Sequence, residues 1–151
     1  KMVLVRGYKR MQGILYRKEK PVRTIKELSK VRIINRNRGA GTRVLLDMEF
    51  EKNKIDPSKV EGYSLEARTH SAVGSAIANG RADAGVSLQS IAVQYGLGFV
   101  PIKEENYDFV MPKDKVNRKF IEALASQEFA SEIKKLPGYS VCRDTGKIIW
   151  S

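Results

Sequence analysis

One cysteine, one histidine and one tryptophan among 151 residues leave several chemistries without material. The lone Cys142 cannot close an internal disulfide, so nothing asks for an oxidising compartment and a cytoplasmic setting is expected. No histidine base lies near it in sequence, which removes a thiol nucleophile. His70 and Cys142 show no metal-ligand spacing, and no metal or other cofactor is expected. No apolar run is long enough to cross a membrane, and no stretch has the pattern of a signal peptide. Nor does any pair of titratable residues stand as an acid and base, so the expected protein is not an enzyme.

What is present is positive charge: 28 Lys and Arg against 17 Asp and Glu give a net +11. Such an excess calls for an anionic partner. The basic residues are scattered, most of them beside acids, and no aromatic-and-basic nucleic-acid pattern occurs. A nucleic-acid partner is therefore disfavoured against a small anion. With 42% hydrophobic residues the chain can bury a core suited to one domain or two small lobes.

The element pattern is read from β-rich runs alternating with helical periodicity. Strands are expected at Met2–Val5 and Gly13–Tyr16, then a short helix capped at Thr24. A strand at 32–35 leads through a glycine turn into a helix running from Thr42 to about Asn53, with Val44, Leu45, Met48 and Phe50 as its apolar face. A strand at 62–66 leads into a helix near Thr69, ended by Gly80, and a strand at 83–87 leads into one at 88–95, capped by Ser87. This alternation predicts parallel strands near 32–35, 62–66 and 83–87. Two more strands, at 99–102 and 107–111, two amphipathic helices and a terminal hairpin or extended tail complete the chain.

The turn Asn35-Arg36-Asn37-Arg38-Gly39-Ala40-Gly41-Thr42-Arg43 carries the functional expectation. A strand feeding a glycine turn into a helix leaves backbone N–H groups unpaired, and glycine lets a ligand approach them. Arg36, Arg38 and Arg43 add charge suited to an oxyanion. Thr42 serves as helix cap, ligand hydroxyl or both. Nucleotide binding is disfavoured: no Lys follows the second glycine, and a dinucleotide fingerprint needs a third glycine. In a parallel sheet, ligands sit beyond the carboxyl ends of the strands. The turns at 36–42 and 67–71 are thus expected on one edge, where Thr69, His70 and Ser71 would face the same anion. His70 reads as either an oxyanion donor or a capping residue.

Five segments in order carry a resemblance: Arg10-Met11-Gln12-Gly13-Ile14, the turn from Asn35 to Arg43, Thr69-His70-Ser71-Ala72-Val73, Gly80 to Gly85, and Tyr107-Asp108-Phe109-Val110-Met111-Pro112. Together they resemble the periplasmic-binding-protein-like domain of cytoplasmic molybdopterin-biosynthesis proteins of the molybdenumtransferase type and of helix-turn-helix regulators. The resemblance implies an α/β, type II fold, a parallel sheet flanked by helices, with an oxyanion in a cleft between two lobes. Residues 14–95 would form the second lobe, carrying the anion-binding turn. Residues 1–13 and 96–151 would form a partial first lobe and hinge strands, with Gln12 beside the ligand.

The Gly39-Ala40-Gly41-Thr42 turn is similar to the Gly-Ser-Gly-Thr loop of related phosphate-binding proteins, with Ala40 in place of the serine and one hydroxyl donor fewer. The family's usual βαβ-rich segment ahead of Arg10-Met11-Gln12-Gly13 is not part of this sequence. A fused or cooperating domain and a homo-oligomer covering an exposed sheet edge are accordingly expected. The expected ligand-binding set is Arg36, Arg38, Gly39, Ala40, Gly41, Thr42, Thr69, His70, Ser71 and Gln12. The expected function is non-enzymatic binding of a small oxyanion, molybdate or tungstate, in molybdenum cofactor biosynthesis or its regulation. The alternative is an interaction or assembly domain with a degenerate pocket, docking a partner protein or nucleic acid through its basic surface.

Overall fold

The computed structural model describes residues 1–151. The chain divides into two compact units, Gln12–Lys103 and Lys1–Met11 with Glu104–Ser151. Each has its own core.

The Gln12–Lys103 unit is built on five strands: part of β1 (Met2–Tyr16), then β2 (Ile33–Arg36), β3 (Glu66–Ala67), β4 (Ala84–Leu88) and part of β5 (Gly98–Pro112), in the order β3-β2-β4-β1-β5. β2 runs parallel to both β3 and β4, as the sequence pattern predicts, while β1 lies antiparallel to β4 with Gln12 opposite Leu88. The helices are α1 (Ile25–Leu28), α2 (Gly41–Lys52), α3 (His70–Ala78) and α4 (Gln89–Gln94). The connection from β2 to β3 crosses the sheet one way and that from β3 to β4 crosses back over β2. Right-handed crossovers then put α2 and α3 on opposite faces.

The cores agree with that placement. Ile33 packs with Leu45, Leu46, Phe50 and Ile14 on the α2 side, whereas the next residues along their strands, Ile34 and Leu15, pack with Val73, Ile77 and Ile91 on the α3 side. A sheet covered on both faces explains why β4 is buried at all five positions. Gly74 lets α3 approach α4, because a Cβ there would stand 2.6 Å from Ile91 and Tyr95 side-chain atoms.

The other unit pairs β1 with β6 (Tyr139–Val141) and β7 (Ile148–Trp150). Val3, Val5 and Leu124 form its core with Phe109, Phe120 and Phe129, under α5 (Arg118–Ala125) and α6 (Gln127–Ile133). The expected terminal hairpin is thus corrected: β6 and β7 each bond β1. Ring stacking of Tyr8 on Tyr107 at 5.2 Å and an Arg6–Asp108 ion pair of 2.8 Å hold β1 and β5 side by side.

Other expectations need correction. β1 is one strand of 15 residues, and 99–102 and 107–111 belong to the single strand β5. The strand expected at 62–66 is reduced to Glu66–Ala67, because Gly62, at φ +85°, and the turn around it occupy the earlier positions. On α2, Leu45, Leu46 and Phe50 are buried, but Val44 and Met48 are 54% and 45% exposed and face solvent.

Asp83 caps the entry to β4. Its carboxylate bonds Arg17 at 3.0 Å, Lys20 at 3.1 Å and the Arg32 N–H at 3.1 Å, rather than the neighbouring Arg81. Burial pushes the carboxyl up, but the bonds from Lys20, Arg32 and Arg17 outweigh it and hold Asp83 below the ordinary aspartate range. A depressed folded value contributes stability that is complete above the unfolded value of about 3.9 and is lost as pH falls through the folded one. The denaturation midpoint of the wild type is therefore expected to fall more between about pH 5 and pH 3 than that of Asp83→Asn. Parallel midpoint curves for the two proteins would remove Asp83 from the acid response.

Candidate functional site

The carboxyl ends of β2, β3 and β4 share one edge, since the three strands are parallel and Arg36 stands opposite Ala67. β2 leaves that edge through Asn37–Ala40 and enters α2 at Gly41. Gly39, at φ +88°, makes the reversal, a conformation that costs a residue with a Cβ roughly 1–2 kcal/mol.

The first turn of α2 is uncapped. Ala40 is the N-cap residue and has no side chain that can accept from the helix. Its own N–H closes the turn onto the Asn37 carbonyl at 3.2 Å, and the Arg43 and Val44 amides bond the Ala40 carbonyl. The N–H groups of Gly39, Gly41 and Thr42 have no acceptor in the chain. An ideal Cβ on Gly39 or Gly41 would meet nothing within 4 Å, so the space in front of these amides is open. An unpaired helix start in open space attracts anions, through both its donors and the dipole.

Thr42 faces away from that opening. Its hydroxyl donates to Gln12 Oε1 at 2.8 Å, and both residues are buried. That bond ties β1 to the start of α2, so Gln12 and Thr42 position the turn; Thr42 offers an anion its backbone N–H rather than its hydroxyl.

The arginines divide by role. Arg36 folds back along β3, with Nε on the Ala67 carbonyl and an Nη on the Arg68 carbonyl, both at 3.2 Å. Arg43, expected beside the amides, turns inward: it bonds the Arg36 carbonyl at 3.0 Å and Glu66 at 2.7 Å and lies 4.9 Å over the Tyr63 ring. Arg38 alone is exposed at the turn and makes no ion pair or hydrogen bond with its side chain. Behind it, Asn37 Oδ1 is buried without a partner, although the same amide donates to the Arg38 carbonyl at 3.2 Å.

α3 starts from the same edge with a different solution. Thr69 is its N-cap, and its hydroxyl accepts from the Ala72 N–H at 3.0 Å. Its side chain is therefore spent on the helix, and the first-turn amide of Ser71 remains without an acceptor in the chain. The His70 ring is held by Ser87 Oγ at 2.8 Å. Ser87 was expected to cap α4; instead it is fully buried in β4 and fixes His70, while Leu88 takes the N-cap position without a side-chain bond. Nothing in the sequence marked this pair, because the two residues are 17 apart and lie on different elements.

A mixed sheet with helices on both faces, and with two helix starts at one strand edge, is an α/β architecture. The chain belongs to the family of the PBP superfamily domain, whose model matches residues 1–127, and its fold is the type II periplasmic-binding-protein-like one. Among curated proteins it is 36% identical over 121 residues to the uncharacterized protein YvgK of Bacillus subtilis (strain 168). That match takes in 79% of this chain but only 39% of the Bacillus protein.

Among solved structures, a Clostridium perfringens substrate-binding protein assigned to a phosphate ABC transporter, with phosphate bound, superposes with a TM-score of 0.73 at 14% identity. The match covers 94% of this chain and 72% of that one. The arginine-, lysine- and histidine-binding protein ArtJ of Geobacillus stearothermophilus gives a TM-score of 0.64 at 18% identity, over 93% and 64% of the two chains. These likenesses establish the fold. No helix of the chain is long and apolar enough to cross a membrane.

Proposed function

We propose that this domain is a non-enzymatic binding module for a small oxyanion, molybdate or tungstate, held on the amides of Gly39, Gly41 and Thr42 with Arg38 reaching over it. The observation that carries the reading is the uncapped first turn of α2: three amides without an acceptor beside an unpaired guanidinium. The amide of Ser71 opens from the same strand edge and adds to the field there. Arg36, Gln12 and Thr69 support the frame of the site through their own bonds.

The preference for molybdate or tungstate, a cytoplasmic location and a place in molybdenum cofactor biosynthesis or its regulation all follow the sequence resemblance. Amides and arginine by themselves suit phosphate and sulfate as well. A helix N-terminus contributes about 0.3–1 kcal/mol toward an anion, and ~2 kcal/mol in partly buried geometry. Charge-assisted bonds add about 1.5–3 kcal/mol each. Together these sustain dissociation constants from roughly millimolar to micromolar.

Calorimetric titration with molybdate, tungstate, sulfate and phosphate ranks the ligands. Arg38→Ala is expected to weaken binding several-fold, about 1 kcal/mol, while Lys134→Ala, exposed at the end of α6, leaves it unchanged. Equal losses in the two variants would mean that only the overall +11 charge attracts the anion. The basic surface would then be a docking face for a larger partner.

A further inference from the structure

A cavity runs along α3 beside β3, apart from the α2 turn. It encloses about 360 Å³ between β3 and α3 and has an apolar wall of Ile34, Ala72, Ala76 and Ala82. Ala72 and Ala76 are one helical turn apart and present their methyl groups to the same space. Arg68 and Arg81 line the same cavity. Both are exposed, and neither makes an ion pair or hydrogen bond with its side chain. The nearest acid in the lining, Glu66, is already paired with Arg43 at 2.7 Å.

We propose that this cavity is a second binding site, for an organic anion with a carboxylate head and a flat or branched apolar body. Its size falls at the lower end of small-molecule sites, which combine apolar walls with a few polar groups that fix orientation. Two guanidiniums without counter-charge match a carboxylate, which accepts paired N–H bonds in one plane. An inorganic oxyanion would satisfy the arginines but leave the alanine wall wet, so the apolar body is part of the recognition. The site differs from the α2 turn in chemistry as well as place: side-chain charge over methyl groups here, backbone amides in open space there. Occupancy of one does not require the other.

The test uses 2-naphthoate as probe, followed by NMR on the whole chain. The methyl signals of Ala72, Ala76 and Ala82 are expected to shift, with a dissociation constant of about a millimolar or tighter. Arg68→Gln and Arg81→Gln should each weaken binding about fivefold, the worth of one exposed charge pair. The neutral analogue 2-naphthalenemethanol should bind more weakly still. Ala72→Phe, at an exposed position, should fill the cavity and abolish naphthoate shifts while molybdate titrates as in the wild type. Naphthoate that shifts Gly41 and Thr42 in place of the alanine methyls would overturn the proposal. So would undiminished binding in Ala72→Phe, in both arginine variants, or by the neutral analogue.

Discussion

Replacing Gly41 with proline is expected to cost at least about tenfold in oxyanion affinity and to leave the fold intact. Gly41 is the first residue of α2, the one helical position that proline tolerates well, because its missing N–H has no helical partner in any case. The residue before proline must be extended, and Ala40 already is, at φ −72° and ψ 134°. The bonds that shape the turn, from the Ala40 N–H to Asn37 and from Arg43 and Val44 to the Ala40 carbonyl, do not involve the Gly41 amide. The substitution therefore removes one donor and little else. Losing one charge-assisted bond of ~1.5–3 kcal/mol corresponds to roughly ten- to hundredfold in affinity. Stability should hold or rise slightly, because proline restricts the unfolded chain. Calorimetry beside thermal melting separates the two effects, and unchanged affinity in a folded variant would remove this amide from the site.

Phe50→Ala is expected to destabilise the protein by about 3–5 kcal/mol, a large share of the stability of a domain this size. The ring is fully buried on the α2 side of the sheet, among Leu28, Ile33 and Leu46, with the Tyr63 ring 6.3 Å away. Neighbours held by a close-packed sheet cannot collapse into the space that the ring leaves, so the cavity cost adds to the lost burial. The midpoint of thermal unfolding should fall by roughly 10 °C. Val44→Ala on the same helix, at a position 54% exposed, should change stability by less than about 0.5 kcal/mol. Because Phe50 anchors the helix whose first turn holds the amides, oxyanion protection against melting should weaken along with stability. Similar midpoints for the two variants would contradict the assigned face of α2.

The parallel strands were legible because short extended runs, β-branched at Ile33-Ile34, alternate with stretches of helical spacing. The length of β1 was not. Gly7 fell in the gap between two expected short strands and Gly13 at the start of the second, yet both lie within one. A Cβ on Gly7 would stand 1.8 Å from the Tyr107 carbonyl oxygen, and one on Gly13 2.1 Å from that of Val100. These glycines permit a close neighbour rather than a turn, and a single sequence cannot tell the two uses apart. The charged run at 103–105 hid the continuity of β5 in the same way. Its acids pair across the sheet, Glu104 with Lys9 at 3.5 Å and Glu105 with Arg10.

At the candidate site, the glycine turn and its edge were legible, since backbone donors follow from the strand-to-helix pattern alone. Side-chain roles were not. Arg36, Arg38 and Arg43 look alike in sequence, and only the positions of Glu66 and of the Arg36, Ala67 and Arg68 carbonyls decide which two turn inward. The Gln12–Thr42 and His70–Ser87 bonds span 30 and 17 residues and depend on which strands are neighbours.

The amide resonances of the α2 turn give the most direct test of where an oxyanion binds. In a titration of the ¹⁵N-labelled chain with molybdate, the signals of Gly39, Gly41 and Thr42 should move most and saturate together, with smaller movements at His70 and Ser71. Signals of the exposed Lys119 on α5, and of Lys134 and Lys135 just after α6, should stay in place. Small, unsaturating shifts spread evenly over the basic surface, with none larger at Gly41 and Thr42, would contradict the account.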